Sequence, residues 1–390
     1  MRINVHRLIV FVNVDEVIVF IINEIGYNSW ITNRDNIYRV LNNGSSDNNT
    51  WANTAFIIGE TIKEKFGEVD KSVHQYNIGN VEIKKDNDFI REPEMLCTES
   101  SFLDIFGVKL LKGSIAGFDE TDNKVIIGEE LSRKYFGNED PVGKLLVLRY
   151  SGKEKPVGVV AVFKDFPQNS TIRASIIGSI NFGMQHLVAN LISTGDMKPD
   201  EQSIRESWEN GYFFTNYLLF KKGTDIDAFE KKLKVLGAEH STVINKLSLE
   251  LQPLSNIYFG SGKITDNNSG DIGNLPMLYI LASVGLLILI IACINYLNLT
   301  SAQAMTQTKS LAVRMVFGAS QESLIAQMIL ESLLVSLIAL PFALQMAQIS
   351  LPMISKLLGK SYQMSINYRS AISIGSIVLL TLVTGALTGF

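Results

Sequence analysis

Leu278-Tyr-Ile-Leu-Ala-Ser-Val-Gly-Leu-Leu-Ile-Leu-Ile-Ile-Ala-Cys293-Ile-Asn-Tyr-Leu-Asn-Leu299 lies within a stretch that carries no formal charge from Ile272 to Thr308. Such a run is too long for an ordinary core helix and fits a bilayer crossing, because about 20 apolar residues at ~1.5 Å each span roughly 30 Å of hydrocarbon. Directly behind it comes Lys309-Ser-Leu-Ala-Val-Arg314-Met-Val-Phe-Gly318-Ala319-Ser320. A polar, helix-prone segment following a span belongs at the membrane surface, where it is free to touch a partner. The junction therefore describes an anchored protein that presents a short helix to one side.

Two further apolar segments follow. One runs from about Leu324 to Pro352 and has Glu331 near its start and Pro341 mid-span; the other runs from about Ala371 to Phe390. A proline that would break a soluble helix is tolerated as a kink in a membrane bundle. Glu331 is read as snorkelling to the interface or accepting from a neighbouring helix, with a coupling role as the alternative. The third segment is still apolar at the last residue, which predicts a truncated chain. Leu8 to Ile22 is apolar at both ends but holds Asp15 and Glu16 at its centre. At about 2.5–3.5 kcal/mol for an acid at mid-bilayer, two acids offset most of the gain from their flanks. Residues 1–22 are therefore read as a degenerate or missing first transmembrane segment.

The chain has 390 residues and a net charge of −4, so it exceeds one ordinary domain and lacks the basic face of a nucleic-acid binder. Residues 23–274 are polar and of mixed periodicity. Lys124-Val-Ile-Ile127 and Pro156 to Phe163 read as buried strands, and Leu247 to Gln252 alternates as a half-buried one. Ala52 to Phe66, Glu129 to Phe136 before Gly137, and Ile226 to Leu236 after Asp225 read as helices. Asn42–Asn49 and Ser193–Asn210 read as surface loops, and Gly260–Asn274 as the hinge into the membrane. The expected fold is an α+β domain, with a mixed sheet and helices, followed by an all-α transmembrane region over 275–390 with helices at about 278–299, 324–352 and 371–390.

No catalytic constellation converges. Gly260-Ser-Gly-Lys263 and Gly359-Lys360-Ser361 each lack the first glycine of a phosphate loop, with Ile257 and Ile354 in that place. The histidines His6, His74, His186 and His240 lack metal-ligand spacing and are read as surface or loop residues. Cys97 and Cys293 occupy different environments, and no disulfide is expected. The chain is read as a non-enzyme, with no cofactor of its own.

The order of short motifs carries a resemblance. Cys293 to Ala302, Val313-Arg314, Gly318-Ala319-Ser320 and Gln327-Met-Ile-Leu-Glu331-Ser332 resemble FtsX-like permeases of the MacB-type ABC transporters. Upstream, Glu24-Ile-Gly-Tyr27, Ile37-Tyr-Arg-Val40, Phe102 to Phe106, Lys134 to Gly137 with Asp140 to Gly143, Lys164-Asp-Phe-Pro167 and Leu251 to Leu254 resemble the MacB-like periplasmic core domain. The resemblance implies mechanotransmission, in which a separate ATPase subunit binds ATP and moves an extracytoplasmic domain for export or efflux. It implies an ATPase-coupling helix at Thr308, Lys309, Val313, Arg314, Gly318, Ala319 and Ser320. Gly318 would end that helix, and Ser320 would cap the next, with Glu322 in its first turn. The implied partners are an ABC ATPase subunit, a permease homodimer or second permease half, a periplasmic adaptor and membrane lipid. The implied location is the inner (cytoplasmic) membrane, multi-pass. Ser310, Ala312 and Met315 stand where such helices carry an acid, a glycine and a base. A membrane-tethered regulatory or binding module of FtsX type, and a truncated non-functional remnant, are the alternatives.

Overall fold

The computed structural model describes residues 20–44, 49–150, 152–195, 200–209, 212–242, 246–266, 272–288 and 320–357, with isolated positions at 290–318 and 375. It divides into a unit of Tyr27–Gly273 and a unit of Met1–Gly26 with Asn274–Phe390.

In the first unit a short 3-10 turn leads into β1 (Ile37–Asn42) and β2 (Thr50–Trp51), then α1 (Phe56–Lys65), β3 (Val69–Lys85) and β4 (Asp88–Thr98). There follow α2 (Ser101–Phe106), β5 (Leu110–Gly113), β6 (Lys124–Gly128), α3 (Glu129–Phe136), β7 (Leu145–Tyr150) and β8 (Lys153–Phe163). Next are β9 (Ile176–Ser179), α4 (Ile180–Thr194), α5 (Glu201–Glu206), β10 (Thr215–Phe220) and α6 (Ile226–Glu239). The unit ends with β11 (Leu249–Pro253), α7 (Leu254–Gly260) and β12 (Ile264–Thr265).

Six strands close on themselves. β3 pairs with β4, β4 with β9, β9 with β6, β6 with β8, β8 with β7, and β7 returns to β3 through Glu82 and Ile83. A closed sheet leaves no free edge among these strands, and a barrel this small is filled by its own side chains. Alternate residues point inward, among them Ile83, Met95, Val125, Ile127, Leu148 and Val157. Their neighbours Leu96, Ile126 and Ile177 pack outward into a second core. Both faces are thus buried, which accounts for the nearly unbroken apolar runs of β6 and β8. Cys97 is a free thiol inside the barrel, and burial pushes its pKa well up. Helix α4 packs closely there: a Cβ on Gly183 would stand 2.7 Å from the Cys97 Cβ.

The first half of β3 leaves the barrel and pairs with β10, which pairs with β1, which pairs with β11. Helices α1 and α6 cover one face of this extension through Ile58, Ile62, Phe229 and Leu233. Helices α2 and α7 cover the other through Phe102, Phe106, Leu254 and Ile257. Arg39 on β1 is fully buried and donates to Gln252 on β11 (2.5 Å) and to the Ser261 hydroxyl (3.0 Å).

Several expectations need correction. Ser193–Asn210 is not a loop throughout, since α5 forms inside it with Asp200 capping the Ser203 amide at 2.6 Å. Asn42 ends β1 instead of opening a loop. His74 is buried instead of exposed; its Nε2 donates to the Phe56 carbonyl (2.9 Å), and its Nδ1 meets Glu99 at 2.7 Å. His186 is partly buried, with Nδ1 3.0 Å from the Tyr76 hydroxyl. Gln252, expected on the wet face of its strand, is buried because Arg39 needs an acceptor there.

In the second unit, residues 20–25 and 275–288 are helical and α8 spans Gln321–Leu357 without interruption at Pro341. Among the described residues no helix is long and apolar enough to cross a membrane. Apart from position 375, the expected segment at 371–390 lies outside the described residues, as do residues 1–19.

Candidate functional site: the turn before the long helix

Asn274 opens the helical stretch that follows it, its side chain accepting from the Met277 amide at 3.0 Å and its carbonyl from Leu278 at 3.0 Å. Leu278 is buried, whereas Tyr279, Ile280, Leu286, Leu287, Ile291 and Ile294 are exposed. Large apolar side chains exposed along a whole helix mark an apolar environment or a partner, since a solvated helix keeps its exposed face polar.

The junction segment ends in a defined turn. The Phe317 amide donates to the Val313 carbonyl at 3.1 Å, closing one helical turn. Gly318 then adopts φ +94°, a conformation that glycine takes without steric cost and that stops a right-handed helix. Ser320 starts α8: its hydroxyl accepts from the Ser323 amide at 3.3 Å and its carbonyl from Leu324 at 3.2 Å. Glu322 lies in the first turn, where a carboxylate meets the positive end of the helix dipole.

Of the residues assigned to the contact helix, Val313, Gly318 and Ser320 are thus described, and they frame one turn. Thr308, Lys309, Arg314 and Ala319 lie outside the described residues. Glu331 lies within α8 in sequence, its side chain likewise outside the description. Sequence reasoning missed the residues that the turn exposes most, Val316 at 85% and Phe317 at 86%. The signal was present: two large apolar residues stand directly before the glycine that ends the helix. Exposure near the maximum at two adjacent apolar residues is a cost in water that a bound partner would remove. Among the described residues no group of three or more His, Cys, Asp or Glu side chains is arranged to hold a metal ion.

The family of the MacB-like periplasmic core domain matches residues 18–236, and that of the FtsX-like permease C-terminal domain matches residues 282–390. No curated protein matches the chain. Among solved structures, a domain ascribed to a permease protein of Porphyromonas gingivalis is 22% identical with a TM-score of 0.47, over 57% of this chain and 92% of that one. The periplasmic region of MacB from Actinobacillus actinomycetemcomitans is 14% identical with a TM-score of 0.41, over 59% of this chain and 92% of that one. The extracellular domain of the noncanonical ABC-type transporter YknZ from Gram-positive bacteria is 13% identical with a TM-score of 0.38, over 56% and 100%. With one family match over more than half its length and the second following in order, the chain belongs to the MacB/FtsX-like ABC transporter permeases.

Proposed function

We propose that this chain is the permease subunit of a mechanotransmission transporter, in which a separate ATPase subunit docks on the 313–320 turn and drives an extracytoplasmic domain for export or efflux. The observation that carries this reading is the pair Val316 and Phe317, almost fully exposed just ahead of a glycine stop and a capped helix. In this reading the apolar stretches at about 278–299, 324–352 and 371–390 cross the inner membrane. Residues 23–274 then form the extracytoplasmic domain, and the turn stands on the cytoplasmic side. Glu331 lies near the start of α8 and is the candidate relay behind the turn. ATP is bound by the partner and not by this chain.

The docking chemistry follows from the residues present. Ser310, Ala312 and Met315 contribute no charge, so burial of Val316 and Phe317 supplies the contact, at roughly 1.5–3 kcal/mol for each large apolar side chain. Membranes are solubilised in mild detergent and the tagged chain is recovered. A nucleotide-binding subunit is expected to co-purify, and Phe317→Asp should lower its yield at least about thirtyfold, as loss of a central apolar anchor does. Recovery of the chain without any ATPase subunit would overturn the transporter reading in favour of a tethered regulatory module, whose partner would be captured by the outer domain instead.

A further inference from the structure

The core unit begins at Tyr27 and ends at Gly273, and both ends are fastened to the same short helix. The Tyr27 and Tyr258 rings stack at 3.4 Å between centroids and 10° between planes, and both residues are buried. Next to Tyr27, Asn28 takes φ +59°, an uncommon conformation for a residue with a side chain, and is 1% exposed. Its side-chain amide donates to the Thr171 hydroxyl at 2.8 Å and to the Leu254 carbonyl, the first residue of α7, at 3.3 Å. Its side-chain oxygen accepts from the Thr171 amide at 2.9 Å, and its own backbone amide donates to the Asn169 carbonyl at 2.9 Å.

At the other end the Gly273 amide donates to the Tyr258 carbonyl at 2.8 Å. A Cβ on Gly273 would lie 2.5 Å from the Tyr258 ring and 2.6 Å from the Phe259 ring, so only glycine lets the chain pass this close. A left-handed residue held in a buried, fully hydrogen-bonded setting marks a position where the surroundings fix the backbone geometry.

We propose that α7 is a joint that locks the two ends of the core unit together, so that a displacement arriving at Tyr27 is passed to Gly273 through Tyr258. The transmitting role rests on the transporter reading; the lock itself does not. In that reading the two connections to the membrane segments cannot splay where they enter the core, and the core is moved as one body. Residues Tyr27, Asn28, Tyr258 and Gly273 are positioning residues here and contact no substrate.

Hydrogen exchange on the full-length chain in detergent tests the lock. Tyr258→Ala should speed exchange of the Asn28, Ile31 and Gly273 amides together, by about tenfold, as loss of one aromatic stack at a local opening does. The barrel amide of Gly158, which donates to the Asn123 carbonyl, should stay protected, and Tyr258→Phe, which keeps the ring stack, should exchange more slowly than Tyr258→Ala at Asn28, Ile31 and Gly273. Faster exchange at Gly273 alone, or a Phe variant indistinguishable from Ala, would overturn the proposal. A second arm adds the co-purified ATPase subunit and ATP. An ATP-dependent change in exchange at Ile31 and Gly273 is expected in the wild type and in Tyr258→Phe, and none in Tyr258→Ala; a response that survives in Tyr258→Ala removes the transmitting role. If the wild-type chain recovers no ATPase subunit, the transporter reading fails while the exchange comparison still decides the lock.

Discussion

The carboxylate of Asp165 accepts the Glu130 amide at 3.0 Å and so caps α3 from another part of the chain. Gly128, at the N-cap position itself, has no side chain to do so, and a Cβ there would overlap the Asp165 oxygen. Burial is the main cause that raises the Asp165 pKa above its ordinary value, with Glu130 and Glu129 adding to it and the Glu130 amide opposing. The folded state therefore holds a proton more tightly than the unfolded chain. That cost is fully present above the folded pKa and disappears as pH falls below the ordinary 3.8. Asp165→Asn keeps an acceptor and removes the buried charge, so it should leave stability at pH 7 unchanged or raise it. Asp165→Ala should lose about 1 kcal/mol, the usual cost of a missing cap. Thermal unfolding of the two variants at pH 7 checks the order; an Asn variant as unstable as Ala would show that the charge itself is needed.

At the level of elements, the sequence was most legible where one period ran without interruption. Helix α3 occupies the expected Glu129–Phe136, and Gly137 ends it at φ +60°. Helix α6 begins at the expected Ile226, with Asp225 accepting the Ala228 amide at 3.0 Å. The turn at Gly318 and Ser320 was legible for the same reason, because helix stops and caps are written in single residues. The β3–β4 hairpin was not legible, although it is the longest pairing in the fold. β3 runs from the extension into the barrel, pairing with β10 at its start and β7 at its end, and its register with β4 shifts on both sides of Gly79. A bulge moves later side chains to the opposite phase, so no single alternation runs through the strand. Gly79 holds φ +80° with nothing within 4 Å of a Cβ, so substitution there meets only the backbone preference. Gly79→Ala should cost about 1 kcal/mol and Gly79→Asn less, because asparagine tolerates left-handed backbone. Denaturant midpoints distinguish them; an Ala variant as stable as the wild type would mean the bulge relaxes freely.

Barrel closure belongs to the whole core unit, since it joins strands from Val69 to Ser179 through six pairings that no local pattern encodes. Its acid response is likewise a sum over groups, with signs that can be worked out. His186, on α4, has its pKa lowered by burial from the ordinary 6.5, and its Nδ1 lies 3.0 Å from the Tyr76 hydroxyl. The folded state thus favours the neutral ring. As pH falls through 6.5 the unfolded chain takes up a proton that the folded chain does not, and stability drops until the lowered folded pKa is passed. Asp122 has its pKa lowered first by the hydrogen bond from Lys155, at 2.7 Å. Its contribution is complete above the ordinary 3.8 and is lost as pH falls through the folded pKa. The two act in the same direction over successive windows, and the Asp165 cost is relieved above the ordinary 3.8, before the Asp122 contribution is lost. Core stability should therefore decline in two steps on acidification, the first beginning near pH 6.5. His186→Gln keeps a polar group without the titration and should abolish the first step while leaving the second. Unfolding midpoints of the full-length chain, followed by the exchange of barrel amides from above pH 6.5 to well below pH 3.8, read both steps. A first step that persists in His186→Gln would assign it to another group and break the account.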